Sequence, residues 1–322
     1  MKSFAKTFIA CLFTMLAYSA SLKAQHAAPV TATQAPAYYR IKLGEYQVTA
    51  LSDGTMLMPV DKILQGGKEG EISAAFKGNF ETLPAETSMN CYLINTGNKL
   101  VLVDAGGGDV YRPAGLGQLL KNLNAAGYKP EQIDAILITH CHADHVGGLL
   151  IKGKMAFPNA AVYMHQADFD LLFAPAGESY RKYFTNEVKV MMPYKAAGKI
   201  KTFRTQTELF AGITAIPAAG HTPGHTFYQV ISNQKKLLLW GDVVHAAEVQ
   251  FRDPALTAQF DFNAGTAKAQ RLKVFADAAK EGYLVGGSHI SFPGLGHVAT
   301  DGEVYKWIPV SYSNGNTNIF FK

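Results

Sequence analysis

Apolar and polar residues alternate with a period of two over residues 39–43 and 46–51, with Gly44 and Glu45 between them. That pattern predicts two strands joined by a tight turn. Residues 89–95 and 99–104 predict a second hairpin, joined through Thr96-Gly97-Asn98. At 116–126 the apolar spacing changes to that of an amphipathic helix, and Gly127 follows as a stop. The short apolar run 133–139 reads as a buried strand ending directly at His140, and 161–164 reads as another strand. Residues 166–197 read as mostly helical, with mixed charge and aromatics, like an insertion over one face rather than core. Strands return at 213–217, 226–231 and 236–240. Residues 266–280 predict an amphipathic helix stopped by Gly282, and 283–287 a last inner strand that runs into Ser288 and His289. Strands thus come in two batches, each followed by helices, which predicts an α/β protein of two similar halves packed together.

The amino terminus departs from this pattern. Lys2 and Lys6 precede an apolar run at 8–17, and small residues follow at Ser19, Ala20, Ser21 and Ala24. This reads as a signal peptide over 1–24, cleaved after Ala24 with Ala20 as second choice, and predicts a periplasmic or secreted protein. The run is shorter than the roughly 20 apolar residues that cross a bilayer. Only four residues separate Lys6 from Cys11, too few for a lipoprotein signal. Residues 25–37, rich in Ala, Pro, Thr and Gln, read as a flexible leader, and 38–322 as the folded domain. The full chain of 322 residues is 48% apolar and 17% charged, a globular composition. Removing 1–24 takes away three lysines, so the formal charge falls from +5 to +2. No Lys/Arg cluster stands out, which argues against nucleic acid or a membrane surface as partner. Cys91 and Cys141 remain in the mature chain, and both are expected to be free and buried.

The chemistry concentrates in Thr139-His140-Cys141-His142-Ala143-Asp144-His145. A rigid strand end followed by a tight loop turns several side chains toward one point. His140 and His142 lie two apart, so extended backbone points them the same way. Three imidazoles and a carboxylate within six residues suit zinc, which takes His nitrogen and carboxylate oxygen. Three later segments each place a candidate ligand after a short apolar or Gly-rich stretch. They are His221 in Ala219-Gly220-His221-Thr222-Pro223-Gly224-His225, Asp242 in Leu238-Leu239-Trp240-Gly241-Asp242, and His289 in Gly286-Gly287-Ser288-His289. Together these give seven ligands, which fits two metals with a shared carboxylate.

These segments, in this order, resemble the metallo-β-lactamase superfamily over about residues 38–310. Within it the chain looks most similar to the methyl parathion hydrolase group and its related lactonases and arylesterases. Leu51-Ser52-Asp53-Gly54, Leu100-Val101-Leu102-Val103-Asp104-Ala105-Gly106, the His140 motif with Val146-Gly147-Gly148, and His221-Thr222-Pro223-Gly224-His225-Thr226 carry that likeness. So does Ser288-His289-Ile290-Ser291-Phe292-Pro293-Gly294, which points to the subgroup. The resemblance implies a four-layer αββα fold, two mixed sheets sandwiched between helices. It implies His140, His142 and His221 on one zinc, Asp144, His145 and His289 on a second, and Asp242 bridging both. Asp242 and Asp144 are the implied catalytic carboxylates. Asp104 matches a position that orients the metal loop, although a strand-end turn residue would look the same. The implied activity is cleavage of a lactone or aryl ester, with organophosphate triesters as a second activity. Relatives are often dimers, so a homodimer is possible. A metal-dependent oxidoreductase of the iron, sulfur-oxidising type is the alternative on this fold, and a β-lactamase is another. Asp242 argues against the β-lactamase, because true β-lactamases of the superfamily usually lack a bridging Asp.

Other residues weigh less. His225 reads as a hydrogen-bonding turn residue. His245 is close enough in sequence to Asp242 to reach the cleft, but a structural role is the expectation. His165, His297 and His26 read as ordinary surface or core residues. Tyr111 falls about where organophosphate-hydrolysing relatives carry an aromatic. Phe169, Phe173, Tyr180, Tyr183 and Phe184 either join it at the cleft or pack their helices. Asp170 stands where those relatives are expected to have a bulky aromatic, which argues against an organophosphate preference. Gly106-Gly107-Gly108 lacks the Lys-Ser/Thr of a phosphate-binding loop.

Overall fold

The computed structural model describes residues 34–313. The expected signal peptide lies outside the described residues, as does most of the leader. Regular structure begins with β1, Tyr38–Leu43, and β2, Tyr46–Met58. Then come β3 (Ala85–Asn95), β4 (Leu100–Val103), β5 (Ala135–Leu137), β6 (Ala161–His165) and β7 (Ile200–Phe203). These seven form one sheet in chain order, antiparallel from β1 to β4 and parallel from β4 to β7. The second sheet also keeps chain order: β8 (Thr207–Phe210), β9 (Ile213–Pro217), β10 (Thr226–Ser232), β11 (Lys235–Leu239), β12 (Leu284–Gly286), β13 (Leu295–Asp301) and β14 (Val304–Pro309). Only its β11–β12 pair is parallel. The two expected halves are therefore one mixed sheet each.

Strand alternation assembles the layers. In β3, Cys91 and Leu93 face one core, and Tyr92 and Ile94 face another. In β4, Val101 and Val103 join Tyr92, and Leu102 joins Cys91. The core holding Tyr92 also holds Ala215, Tyr228, Val230, Leu237 and Leu284, so it lies between the two sheets. The outer face of the first sheet is covered by α1, Leu119–Ala125, through Leu119 and Leu123. Against the outer face of the second lies α2, Ala264–Glu281, through Val274, Phe275 and Ala278 onto Leu238, Trp240 and Val285. Helix, sheet, sheet, helix is the expected four-layer order.

Differences in element bounds have local causes. Strand β2 runs to Met58 rather than 51, because Ser52-Asp53-Gly54 forms a bulge instead of ending the strand. The Asp53 carboxylate accepts the N–H groups of Gly107, Gly117 and Leu119. That delays the helix expected at 116 to Leu119, since Gly117 sits at φ +83° in the approach loop. The reading missed β7, β8, β13 and β14. Three of these are edge strands, half-exposed and without a long apolar run. The 166–197 segment is helical as expected, built from Gln166–Phe173, Glu178–Arg181 and Thr185–Ala196. Cys91 and Cys141 are free and buried.

Candidate metal centre

The seven expected side chains converge at the ends of strands from both sheets. His140 follows β5, His221 lies between β9 and β10, Asp242 follows β11 and His289 follows β12. A one-turn helix, Ala143–Val146, begins after His142 and carries Asp144 and His145. Close backbone approach fixes this turn. A Cβ on Gly148 would meet the Ala105 carbonyl oxygen at 1.9 Å, so the loop can lie flat on residues 105–107 only with glycine there.

Two donor sets share Asp242. His140 Nε2, His142 Nδ1 and His221 Nε2 lie 2.9–3.2 Å from one another. Asp242 Oδ2 is 3.6 Å from His140 Nε2 and 3.3 Å from His221 Nε2. On the other side, Asp242 Oδ1 is 3.1 Å from His145 Nε2. Asp144 Oδ2 is 3.7 Å from His145 Nε2 and 3.3 Å from His289 Nε2. Three nitrogens at mutual van der Waals contact cannot all hydrogen-bond one another, but this is the spacing of ligands about 2.0–2.1 Å from one zinc. His145 Nε2 and Asp242 Oδ1, both buried, have no hydrogen-bond partner among the described residues. The donor set therefore fits a pair of divalent cations.

The opposite ring atoms are held by the protein. His145 Nδ1 is 2.8 Å from Asp104 Oδ2, His221 Nδ1 is 2.8 Å from Asp261 Oδ1, and His289 Nδ1 is 3.0 Å from the Ser88 carbonyl oxygen. Such partners fix ring orientation and leave the other nitrogen's lone pair facing the metal. Asp104, at φ +60°, also accepts the Thr139 N–H and hydroxyl at 2.8 Å each. Its orienting role is what the turn accomplishes. His225 is a tie, with Nδ1 3.3 Å from the Ala218 carbonyl oxygen and Nε2 accepting the Asp242 N–H at 3.2 Å.

Charge follows from burial. Desolvation, with the neighbouring His221, pushes His142 down to about 3, leaving its lone pair available at neutral pH. Burial opposes the charge on His289, but Asp242 and Asp144 outweigh it and push that ring up to about 10. A divalent cation would displace the proton from that ring and take its place beside the carboxylates.

Above the donors opens a cavity of about 360 Å³, whose lining includes His142, Asp144, Asp242 and His289. Met56, Leu57, Met58, Pro59, Ile63 and Phe260 make its apolar wall, and Tyr111 also lines it. Of Phe169, Phe173, Tyr180, Tyr183 and Phe184, Phe184 reaches the metal loop, stacked on His142 with centroids 6.1 Å apart. Phe169 and Phe173 pack against the core, and Tyr183 is exposed. Asp170 accepts from Gln166 on its own helix and does not line the cavity.

The reading missed several residues here. Asp168 is buried and ties the metal loop to the His221 loop, accepting from Cys141 N–H, Thr222 Oγ1 and Gly224 N–H. Asp261 at His221, and Glu187 and Phe260 in the cavity lining, belong to no sequence motif. His245, expected to be structural, stands among the donors. It lines the cavity 3.3 Å from Asp242 Oδ2, and neither of its ring nitrogens has a hydrogen-bond partner among the described residues. Single acids in polar segments carry no sequence signal. His245 did carry one, its place among Val243, Val244 and Ala246.

The model of the metallo-β-lactamase superfamily matches residues 86–289, which contain all seven donors. The chain belongs to the metallo-β-lactamase superfamily. Among curated proteins it is 31% identical over 159 residues to the uncharacterized protein YobT of Bacillus subtilis strain 168, covering 49% of this chain and 63% of that protein, less than two thirds of its length. It is 24% identical to an N-acyl homoserine lactonase of Bacillus cereus, covering 61% of this chain and 78% of that protein. Among solved structures, the hydrolase AbOPH of the beta lactamase superfamily is 33% identical at a TM-score of 0.81, over 88% of this chain and all of that one. AidC, described as a dizinc quorum-quenching lactonase in complex with a product, N-hexanoyl-L-homoserine, is 28% identical at a TM-score of 0.77, over 86% and 99%. Superfamily membership and the four-layer fold are thus as the resemblance implied.

Proposed function

We propose that this protein is a metal-dependent hydrolase whose centre takes two zinc ions and whose substrates are lactones or aryl esters. The observation that carries this reading is the position of Asp242 between the two donor sets, with Oδ2 beside His140, His221 and His289 and Oδ1 beside His145. His140, His142 and His221 would hold one ion, Asp144, His145 and His289 the other, and Asp242 both. When bound, two such ions supply a nucleophile at neutral pH and an electrophile for the scissile oxygen. The chain's own part is to hold and shield. Asp242 and Asp144 stand at the floor of the cavity, where a carboxylate oxygen can take a proton from the attacking water and pass it to the departing alkoxide. The Met56–Met58 wall and Phe260 take up an apolar acyl or aryl group and exclude water. The likeness to the Bacillus cereus lactonase and to AidC supports the lactone. Organophosphate triesters remain a second activity of the same reading. We also propose export, on the pattern of residues 1–24; amino-terminal sequencing of the native protein should then begin at Gln25.

The test is a panel on the purified zinc-loaded chain: an N-acyl homoserine lactone, dihydrocoumarin, phenyl acetate, methyl paraoxon and a cephalosporin. Lactone turnover with about two zinc per chain is expected. Asp242→Ala and His142→Ala should each lose at least about 100-fold in kcat/KM, more than loss of an orienting partner costs. One iron per chain, or full activity in Asp242→Ala, would overturn the reading.

A further inference from the structure

His245 and His289 line a second, smaller cavity as well as the one above the donors, so the two rings belong to the wall that the cavities share. The smaller one has a volume of about 10 Å³, room for about one water or ion and too little for an organic substrate. Three carboxylates line it, Glu81, Glu86 and Glu248, and its remaining lining residues carry no charge. Glu81 and Glu86 are exposed, which brings its outer end to the surface. Glu86 accepts from the Thr55 hydroxyl at 2.7 Å. Burial and the charge of Glu81 push the Glu248 carboxyl up from its ordinary value. A cation relieves such a group of like charges and is drawn toward it.

The inner end of this cavity meets metal donors. His245 is 1% exposed. Its Nε2 faces Asp242 Oδ2 at 3.3 Å without making a hydrogen bond, and its Nδ1 has no hydrogen-bond partner among the described residues. His289 Nε2 is 3.2 Å from the same Asp242 oxygen, and the His245 and His289 rings stack with centroids 5.5 Å apart. One donor atom from each of Asp242, His245 and His289 lies within 4.8 Å of the others, close enough for all three to meet on one ion. His289 has only Nε2 to offer, because Nδ1 faces the Ser88 carbonyl oxygen. An ion held here and an ion held by Asp144, His145 and His289 are therefore alternatives. We propose that Asp242, His245 and His289 form a further divalent-cation position, which the second zinc occupies on its way in from the acidic cavity. This rests on the two-zinc reading and adds how one of the ions arrives.

Asp144→Ala removes a donor from the final position and leaves the further one whole. Crystals of that variant soaked in zinc should show an anomalous scattering peak about 2.0–2.1 Å from a His245 ring nitrogen. A second measurement needs no change in the metal donors. Zinc uptake by the metal-stripped full chain is followed by stopped-flow with a chelating dye at low salt. Glu248→Gln should slow the uptake of one ion about 10-fold and leave the zinc content at equilibrium unchanged. Asp277→Asn, at an exposed carboxylate on α2, should stay within about twofold of the native rate. Zinc absent from His245 in the Asp144→Ala crystals, native uptake in Glu248→Gln, or equal slowing in Asp277→Asn overturns the proposal. If any of these comes with two zinc per native chain, the two-zinc reading stands without it. If the native chain holds one ion while the peak at His245 and the slowing in Glu248→Gln are both found, the further position stands and the two-zinc reading falls.

Discussion

At the scale of residues, three carboxylates outside the seven candidate donors hold the site in place. Asp261 steadies His221, Asp104 steadies His145, and Asp168 ties two loops together. Replacing Asp261 with Ala should leave the fold intact and weaken zinc at the three-histidine site by about 10–100-fold, as chelator competition would measure. Unchanged affinity would mean that His221 is held by packing alone. Glu187 gives a pH signature. Burial pushes its carboxyl up to about 7 from the ordinary 4.5. The folded state therefore holds that proton more tightly than the unfolded chain, and stability falls as pH rises from about 4.5 to 7, then stays level. In chelator, Glu187→Gln should be more stable than the native chain by about 2 kcal/mol at pH 8 and by little at pH 4, read from urea midpoints at both pH values. The donors themselves were legible because so few residue types ligate zinc and each follows an apolar strand. Asp261, Asp168 and Glu187 were not, since only tertiary packing turns a lone acid inward.

At the scale of elements, legibility followed burial. The inner strands other than β13, and α2, could be read because both faces of those strands and one face of the helix are apolar, whereas the far end of β13 is exposed. The edge strands β7, β8 and β14 could not, because half of each faces solvent. Helix α2 also carries its own boundary marks. The Asn263 side chain accepts the Thr266 N–H, and Gly282 ends the helix at φ +71°. Asn263→Ala should lower stability by about 1 kcal/mol, measured by chemical denaturation, with zinc content unchanged. A larger loss, or loss of metal, would mean that this corner also braces the His221 loop, to which Asn263 donates through its backbone N–H at Gly220.

At the scale of the molecule, the donors come from both sheets. His140 to His145 belong to the first half of the chain, while His221, Asp242 and His289 belong to the second. Two bound cations would act as a clamp across the sandwich, joining donors from both sheets. Chelation should lower the thermal midpoint by roughly 10 °C, reversed by zinc, on ligand-linkage grounds for a chain of this size. An unchanged midpoint would show that packing between the sheets suffices. Cys141 stands between His140 and His142, yet it turns into the outer core of the first sheet. There burial holds its thiol well above the usual range. The same alternation that presents two imidazoles thus withholds the only sulfur in the loop. A centre built from nitrogen and oxygen alone offers peroxide no thiolate to attack. Brief exposure to hydrogen peroxide should leave its metal in place, where a cysteine-ligated zinc site would let go.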